Sequence, residues 1–168
     1  TPRTELTKQV IDFTRPSVTF EEIPIGKGRR VSAGEGVAIL TIGHPGNFAQ
    51  EAIKNLTKTG ITPAHYDLRF VKPLDEMLLH EVFTKFDKII TVEDGCLMGG
   101  FGSAVLEFMA DRGYKAQVVR LGIPDEYIHH GTQEELWAAC GFDAASISSA
   151  VERMLLVENT KTSTSQAG

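Results

Sequence analysis

Four short apolar runs, each followed by a segment of helical periodicity, constrain the fold of this chain more than any other feature. The runs cover residues 37–42, 61–70, 88–93 and 117–122. Strands that alternate with helices through short connections pair in parallel by right-handed crossovers. Helices then cover both faces of the sheet, so its strands read as continuous apolar runs. The pattern predicts an α/β fold with three layers, α/β/α, around a mostly parallel sheet of five strands.

The fifth strand is predicted from residues 20–25, which precede this series and are not followed by a helix. Their alternation and the turn at residues 26–28 indicate an edge strand that runs antiparallel to the others. We expect residues 1–19 to form an N-terminal arm and residues 20–157 to form the domain. Residues 158–168 are rich in Thr, Ser and Gln without apolar periodicity, so we expect a disordered tail.

Helix starts follow from capping residues and prolines. Asn47 can cap the helix that continues with Phe48, and Pro73 is expected in the first turn of the next helix. Further helices are predicted over residues 103–112, 133–140 and 144–157. In this predicted order of elements, each helix begins just beyond the carboxyl end of a strand or lies in the C-terminal segment.

The composition argues against several partners. The chain has 17 Lys and Arg against 22 Asp and Glu, a net charge of −5, which disfavours nucleic acid or an anionic membrane as the main partner. Its apolar runs are far shorter than the roughly 20 residues that span a bilayer. The N-terminus has no apolar core of a signal peptide, and the chain begins without Met, as a fragment or a processed product would. The two cysteines, Cys96 and Cys140, show no metal or redox spacing, so we expect buried thiols and a cytoplasmic location.

Candidate site residues lie where the strands end, because ligands of open α/β sheets bind beyond the carboxyl ends of the strands. Seven positions qualify as crevice or interdomain candidates: His44, Arg69, Lys72, Glu93, Gly100, Gly102 and His130. His44 could transfer a proton, although a solvated turn residue is the commoner case. Arg69 and Lys72 could hold an anion, but pairing with Asp67 and Asp75 is more usual.

The glycine-rich loop at residues 93–102 could bring backbone N–H groups to a phosphate at a helix N-terminus. It departs from the dinucleotide fingerprint, since Val105 stands where a third glycine is needed, and it lacks the Lys of a P-loop. Tight packing of helix on strand is the favoured interpretation.

Complete catalytic or metal-binding sets are missing from the motifs. His129 and His130 follow Asp125 and Glu126 at a spacing that could hold a metal, but no further Cys or His cluster supports this. Capping or a hydrogen bond across a domain contact is favoured for them. No Ser/His/Asp set and no paired carboxylates occur in a supporting context. We therefore assign no catalytic, cofactor-binding or metal-binding residue.

Several segments together resemble the 1-deoxy-D-xylulose-5-phosphate synthase family. They read FEEIPIGKG at 20–28, YDLRFVKPLD at 66–75, TVED at 91–94, GGFGSAV at 99–105, GIPDEYI at 122–128 and HGT at 130–132. The resemblance covers about residues 20–157 and corresponds to the C-terminal, transketolase-C-like domain of these homodimeric enzymes. Alone, each segment would suggest only the wider transketolase-like family.

The resemblance implies a transferase that condenses pyruvate with D-glyceraldehyde 3-phosphate and releases carbon dioxide, for isoprenoid and thiamine biosynthesis. Such enzymes use thiamine diphosphate and a divalent metal, usually Mg²⁺, held by the first domain, while the second domain supplies the activating acid. The Gly-Asp-Gly and Asn signature of the metal–diphosphate site does not occur in this chain. We therefore expect the chain alone to be inactive and to bind neither group.

The resemblance also implies that the matched loops face the neighbouring domain and the dimer contact. Packing and positioning are thus implied for Arg69, Lys72, Glu93 and His130. Two alternatives stay open: a free-standing phosphate- or nucleotide-binding module that uses the glycine loop, and the C-terminal domain of a 2-oxoacid dehydrogenase β subunit.

Overall fold

The computed structural model describes residues 22–164, and side chains as far as residue 156. Five strands form one sheet: β1 (Arg29–Ser32), β2 (Ala38–Thr41), β3 (Ala64–Asp67), β4 (Lys88–Cys96) and β5 (Gln117–Ile123). The helices are α1 (Pro45–Thr57), α2 (Glu76–Lys85), α3 (Phe101–Asp111), α4 (Gln133–Cys140) and α5 (Ala144–Thr164). The strand order is β1-β3-β2-β4-β5, with β1 antiparallel to β3 and every other pair parallel. The predicted mixed sheet with one antiparallel edge strand is confirmed.

Two apolar cores sandwich the sheet, one on each face. In β2, Leu40 belongs to the core under α2 and α3, while the neighbouring Ile39 belongs to the core under α1 and α5. Both side chains are fully buried. Successive side chains of a strand point to opposite faces, so a strand covered on both sides is apolar at every position. The three predicted layers follow from this burial.

The position predicted for the edge strand is wrong. Among the described residues, 22–25 form no strand, and the strand β1 begins after the glycine turn rather than before it. β1 pairs through polar partners, with Arg29 opposite Asp67 and the Arg29 Nε donating to the Asp67 carboxylate at 3.2 Å. Because an exposed polar strand has no apolar alternation, the sequence pattern could not reveal it. The predicted arm at residues 1–19 lies outside the described residues.

Two helices begin with a different capping residue from the predicted one, and α3 begins at Phe101 rather than at residue 103. α1 begins at Pro45 with His44 as its N-cap, so Asn47 is not the cap. Pro73 lies outside α2, which begins at Glu76 and is capped by the Asp75 carboxylate accepting from the Leu78 N–H at 3.2 Å. A side-chain acceptor at the N-cap outweighs the preference of proline for a first turn.

At the other end of the domain, α5 continues past the predicted boundary at residue 157 to Thr164. No glycine or proline interrupts residues 158–164, so nothing in this stretch ends the helix. Residues 165–168 of the predicted tail lie outside the described residues.

Candidate functional site

The carboxyl ends of the parallel strands bring the seven candidate residues to one edge of the sheet, here called the carboxyl edge. His44 follows β2, Arg69 and Lys72 follow β3, and Glu93 lies near the end of β4. The remaining three, Gly100, Gly102 and His130, lie at the start of α3 and in the connection between β5 and α4. The topology therefore gathers these residues as predicted, but their contacts separate them into different groups.

Glu93 is the most strongly constrained of them. Its side chain is buried, and its carboxylate accepts from the Phe101 N–H at 2.7 Å and the Gly102 N–H at 2.8 Å. A negative charge at the N-terminus of α3 satisfies two backbone donors that the helix itself cannot pair. These are the N–H groups that a phosphate would use, so the glycine loop presents an already neutralised helix end. Glu93 thus has hydrogen-bond partners within its own domain, and its contact with another domain stays a prediction.

The glycines of this loop leave room for that carboxylate. A Cβ atom at Gly100 would collide with the Cys96 carbonyl oxygen and the Glu93 carboxylate. A Cβ at Gly102 would lie 2.6 Å from the Thr91 hydroxyl oxygen and 2.9 Å from the Cδ of Arg120. Both distances are shorter than real Cβ contacts, which supports the packing interpretation of the loop.

Arg120 joins the same region, although it was not among the predicted candidates. It lies in β5, and its Nη1 donates to the Leu97 carbonyl at 2.6 Å and to the Ser103 hydroxyl at 2.9 Å. An arginine in the middle of an otherwise apolar strand is the signal that could have identified it. Its guanidinium ties β5 to the loop that precedes α3.

His44 contacts residues of three elements, α1, β4 and α4. Its Nε2 lies 2.7 Å from the Asp94 carboxylate, and its ring lies against Trp137 and Phe48 at centroid distances of 5.2 and 5.5 Å. Its side chain is exposed, as expected of a turn residue, but it is held by these contacts rather than surrounded by water alone. Beside it, Asp94 and Trp137 border a cavity of about 280 Å³ whose wall is mainly apolar. Asp94 thus connects His44 to the wall of this cavity.

Neither cysteine is fully buried, contrary to the prediction. Cys96 is exposed, and Cys140 is partly exposed on the wall of the same cavity. Burial, together with the nearby Asp94 charge, raises the pKa of the Cys140 thiol. A raised pKa keeps this sulfur protonated, which disfavours a nucleophilic role.

Arg69 and Lys72, which both follow β3, differ in their contacts. The Arg69 Nε lies 3.9 Å from the Asp67 carboxylate, which also accepts the Arg69 backbone N–H at 3.1 Å, so the predicted pairing is confirmed. Asp75 instead accepts from the Gly28 N–H at 3.0 Å and lies 3.6 Å from Lys27. The predicted pairing of Lys72 with Asp75 is therefore wrong, and Lys72 is exposed. His130 is exposed as well.

A buried histidine that was not predicted lies inside the sheet. The Nε2 of His65 lies 2.9 Å from the Thr41 hydroxyl oxygen, and burial lowers the pKa of His65 to about 4. Within residues 22–156, no group of three or more His, Cys, Asp or Glu side chains could hold a metal ion. The same part of the chain has no helix long and apolar enough to span a membrane.

Exposed apolar side chains concentrate at the carboxyl edge. Among the described residues, seven large apolar side chains are exposed: Ile23, Ile25, Val71, Met77, Met98, Tyr127 and Leu156. The first six precede β1, follow β3, β4 or β5, or lie in the first turn of α2, and all these places belong to the carboxyl edge. Exposed apolar side chains on one edge favour protein binding as the role of that edge.

The chain matches a family model described as "Transketolase, C-terminal domain" over residues 26–147. It is 64% identical over 135 residues to the 1-deoxy-D-xylulose-5-phosphate synthase of Cytophaga hutchinsonii, covering 80% of this chain and 21% of that protein. Against the synthase of the same name from Aquifex aeolicus the identity is 42% over 140 residues, covering 83% of this chain and 22% of that protein. The chain therefore spans about a fifth of the length of these curated relatives.

Solved structures share the fold. A structure titled "Split gene transketolase, inactive beta4 tetramer" aligns with a TM-score of 0.73 and 31% identity, covering 84% of this chain and 45% of that chain. The transketolase of Campylobacter jejuni aligns with a TM-score of 0.53 and 15% identity, covering 73% of this chain and 18% of that chain. At that identity the second likeness concerns the fold alone.

Proposed function

The chain belongs to the transketolase C-terminal domain family, and from this premise we propose that it is the C-terminal domain of a 1-deoxy-D-xylulose-5-phosphate synthase. The observation that carries the proposal is the identity with curated synthases of that name across about four fifths of the chain. The whole enzyme would join pyruvate to D-glyceraldehyde 3-phosphate with loss of carbon dioxide, in the cytoplasm and as a homodimer.

Thiamine diphosphate and Mg²⁺ would belong to domains outside this chain. The described residues do not fit either group, because Glu93 already fills the N-terminus of α3 and no acidic or histidine cluster could hold the metal. The same contact disfavours a free-standing phosphate-binding module that uses the glycine loop. We therefore assign this chain no step of the cofactor chemistry.

Its contribution would be a docking surface at the carboxyl edge. Six exposed apolar side chains gather there, together with the exposed Lys72 and His130. Exposed apolar side chains accompanied by polar ones are typical of contacts between domains and between subunits. We infer that this edge packs against the remaining domains of the same enzyme or its dimer partner. Arg69 and His44 would support the edge through Asp67 and Asp94 rather than touch substrate.

A domain exchange tests the proposal. In the synthase of Cytophaga hutchinsonii, the matching C-terminal segment is replaced by this chain, and product formation from pyruvate and glyceraldehyde 3-phosphate is measured. We expect an active chimera, and an inactive protein when the segment is simply deleted. A chimera that folds and forms the dimer but makes no product would contradict the proposal.

A second measurement addresses the cofactor directly. Titration calorimetry of the isolated chain with thiamine diphosphate and Mg²⁺ should show binding no tighter than about millimolar, because no described group is arranged to hold them. Micromolar binding would show that the chain carries a cofactor site of its own.

A further inference from the structure

The two edges of the sheet are built differently. β1 has four residues, carries Arg29 and Arg30, and has a register shift between Arg30 and Ser32. Short length, charge and irregularity are the features by which edge strands avoid pairing with other chains. β5 has seven residues and regular register with β4 from Gln117 to Leu121. Within the described residues no strand pairs with its outer side, so β5 is the accessible edge.

Specific backbone groups of β5 point to that open side. The Gln117 N–H donates to the Asp87 carbonyl at 2.7 Å, and the Ile123 carbonyl accepts from the Leu97 N–H at 2.9 Å. The backbone N–H and C=O groups of these two odd-numbered residues thus point towards β4. The backbone N–H and C=O groups of successive residues point to opposite sides of a strand. Those of Val118 and Arg120 therefore face outward, away from β4. Both residues are only half-buried, so an added strand could reach them.

A groove of the described surface lies beside this edge. It has a volume of about 520 Å³ and lies between the end of β5 and one face of α5. Small residues provide the space: Gly122, Gly141, Ala145, Ser146 and Ser149. Its only charged lining residues are Arg120 and Arg153, although the chain as a whole has a net charge of −5. The charged side chains that line the groove are therefore both positive.

We propose that β5 accepts an extended acidic segment of another protein as an added strand. Backbone pairing with Val118 and Arg120 would supply affinity, and a carboxylate near Arg153 would supply selectivity. A second copy of this chain is the less suitable occupant, because pairing β5 with β5 would bring two sets of arginines together. None of the six exposed apolar side chains that the proposed function uses lines this groove.

A peptide experiment tests the proposal on the full chain. The probe is a terminally blocked peptide of about six residues that alternates valine and glutamate, and its control alternates valine and lysine. Binding is followed by fluorescence anisotropy, and backbone amide exchange by NMR. We expect the glutamate peptide to bind and the lysine peptide not to bind. Binding should protect the amides of Val118 and Arg120, while those of Val119 and Leu121 are already protected by β4.

Two variants separate backbone pairing from charge. Val118→Pro removes one outward N–H and leaves the ladder to β4 intact, so the fold should persist and the affinity should fall about tenfold. Arg153→Glu should weaken binding of the glutamate peptide and allow the lysine peptide to bind. Lys54→Glu on α1 lies outside the groove and serves as the matched charge control. Melting curves and NMR spectra verify that each variant is folded.

Each remaining outcome overturns the proposal. Equal binding of both peptides would remove the acidic selectivity. Binding without new protection of Val118 and Arg120 would show that the groove takes the peptide without strand pairing. Protection that rises with protein concentration in the absence of peptide would show that a second copy occupies the edge.

Discussion

His65 should make the stability of this domain depend on pH in a defined window. Its ring is buried between β2 and β3, with Nε2 at 2.9 Å from the Thr41 hydroxyl oxygen, and its buried Nδ1 has no hydrogen-bond partner among the described residues. Burial is the largest influence on its pKa, followed by the opposing effect of Asp67 and a smaller effect of Arg29. Together they lower the pKa from the usual 6.5 to about 4, so the folded protein holds a neutral ring.

The sign and size of the effect follow from proton linkage. Between pH 6.5 and 4 the unfolded chain protonates His65 while the folded chain does not, so acid favours unfolding. The stabilisation is complete above pH 6.5 and decreases as the pH falls towards 4. The full loss is about 3 kcal/mol, and about 2 kcal/mol of it is reached at pH 5.

Urea denaturation at pH 7.5, 6 and 5 measures this loss. The control is His65→Gln, whose amide can still bond to Thr41 but does not titrate. Other titrating groups act in both proteins, so the difference between the two pH profiles isolates His65. We expect the free energy of unfolding of the wild type to fall by about 2 kcal/mol more than that of the variant between pH 7.5 and 5. Parallel profiles would refute the reasoning.

Three further predictions concern the start of α3 and the carboxyl edge. Gly102→Ala should lower the free energy of unfolding by about 2 kcal/mol in urea denaturation, because its Cβ would press on Thr91. Gly131→Ala is the control and should cost little, since its Cβ would come no nearer than 3.2 Å to the Glu135 carboxylate. Glu93→Gln should cost about 1–3 kcal/mol in the same assay, since one backbone donor loses its acceptor; an unchanged value would mean that the carboxylate is not needed. Lys72→Ala combined with His130→Ala should change unfolding by less than about 0.5 kcal/mol but lower the activity of the domain-exchange chimera. Full activity of the chimera would show that neither residue contributes to the docking surface.

The inner strands could be predicted from the sequence because burial on both faces leaves a continuous apolar run. β2 and β4 show such runs, and the predicted starts of β4 and β5 agree with the structure. β1 could not be predicted, since its pairing rests on the contact of Arg29 with Asp67, two residues 38 positions apart. Contacts between polar residues so distant in sequence leave no periodic signal.

The candidate site shows the same division. Topology alone placed His44, Arg69 and Glu93 at one edge, because the carboxyl ends of parallel strands lie together. The partners of these residues depended on side-chain geometry. Glu93 turns back into its own domain to cap α3, and Asp75 turns towards Gly28 rather than Lys72.

The buried position of Glu93 bears directly on what this domain can do. A helix N-terminus behind a glycine loop is the usual anion site of an α/β sheet, and here a carboxylate of the same chain neutralises it. The α3 N-terminus at the carboxyl edge is thereby satisfied inside the domain, while apolar side chains such as Ile25 and Tyr127 are exposed on this edge. An edge with its anion site filled and its apolar groups exposed is better suited to bind a protein surface than a phosphate. We therefore expect substitutions on this edge to change assembly of the whole enzyme before they change its chemistry.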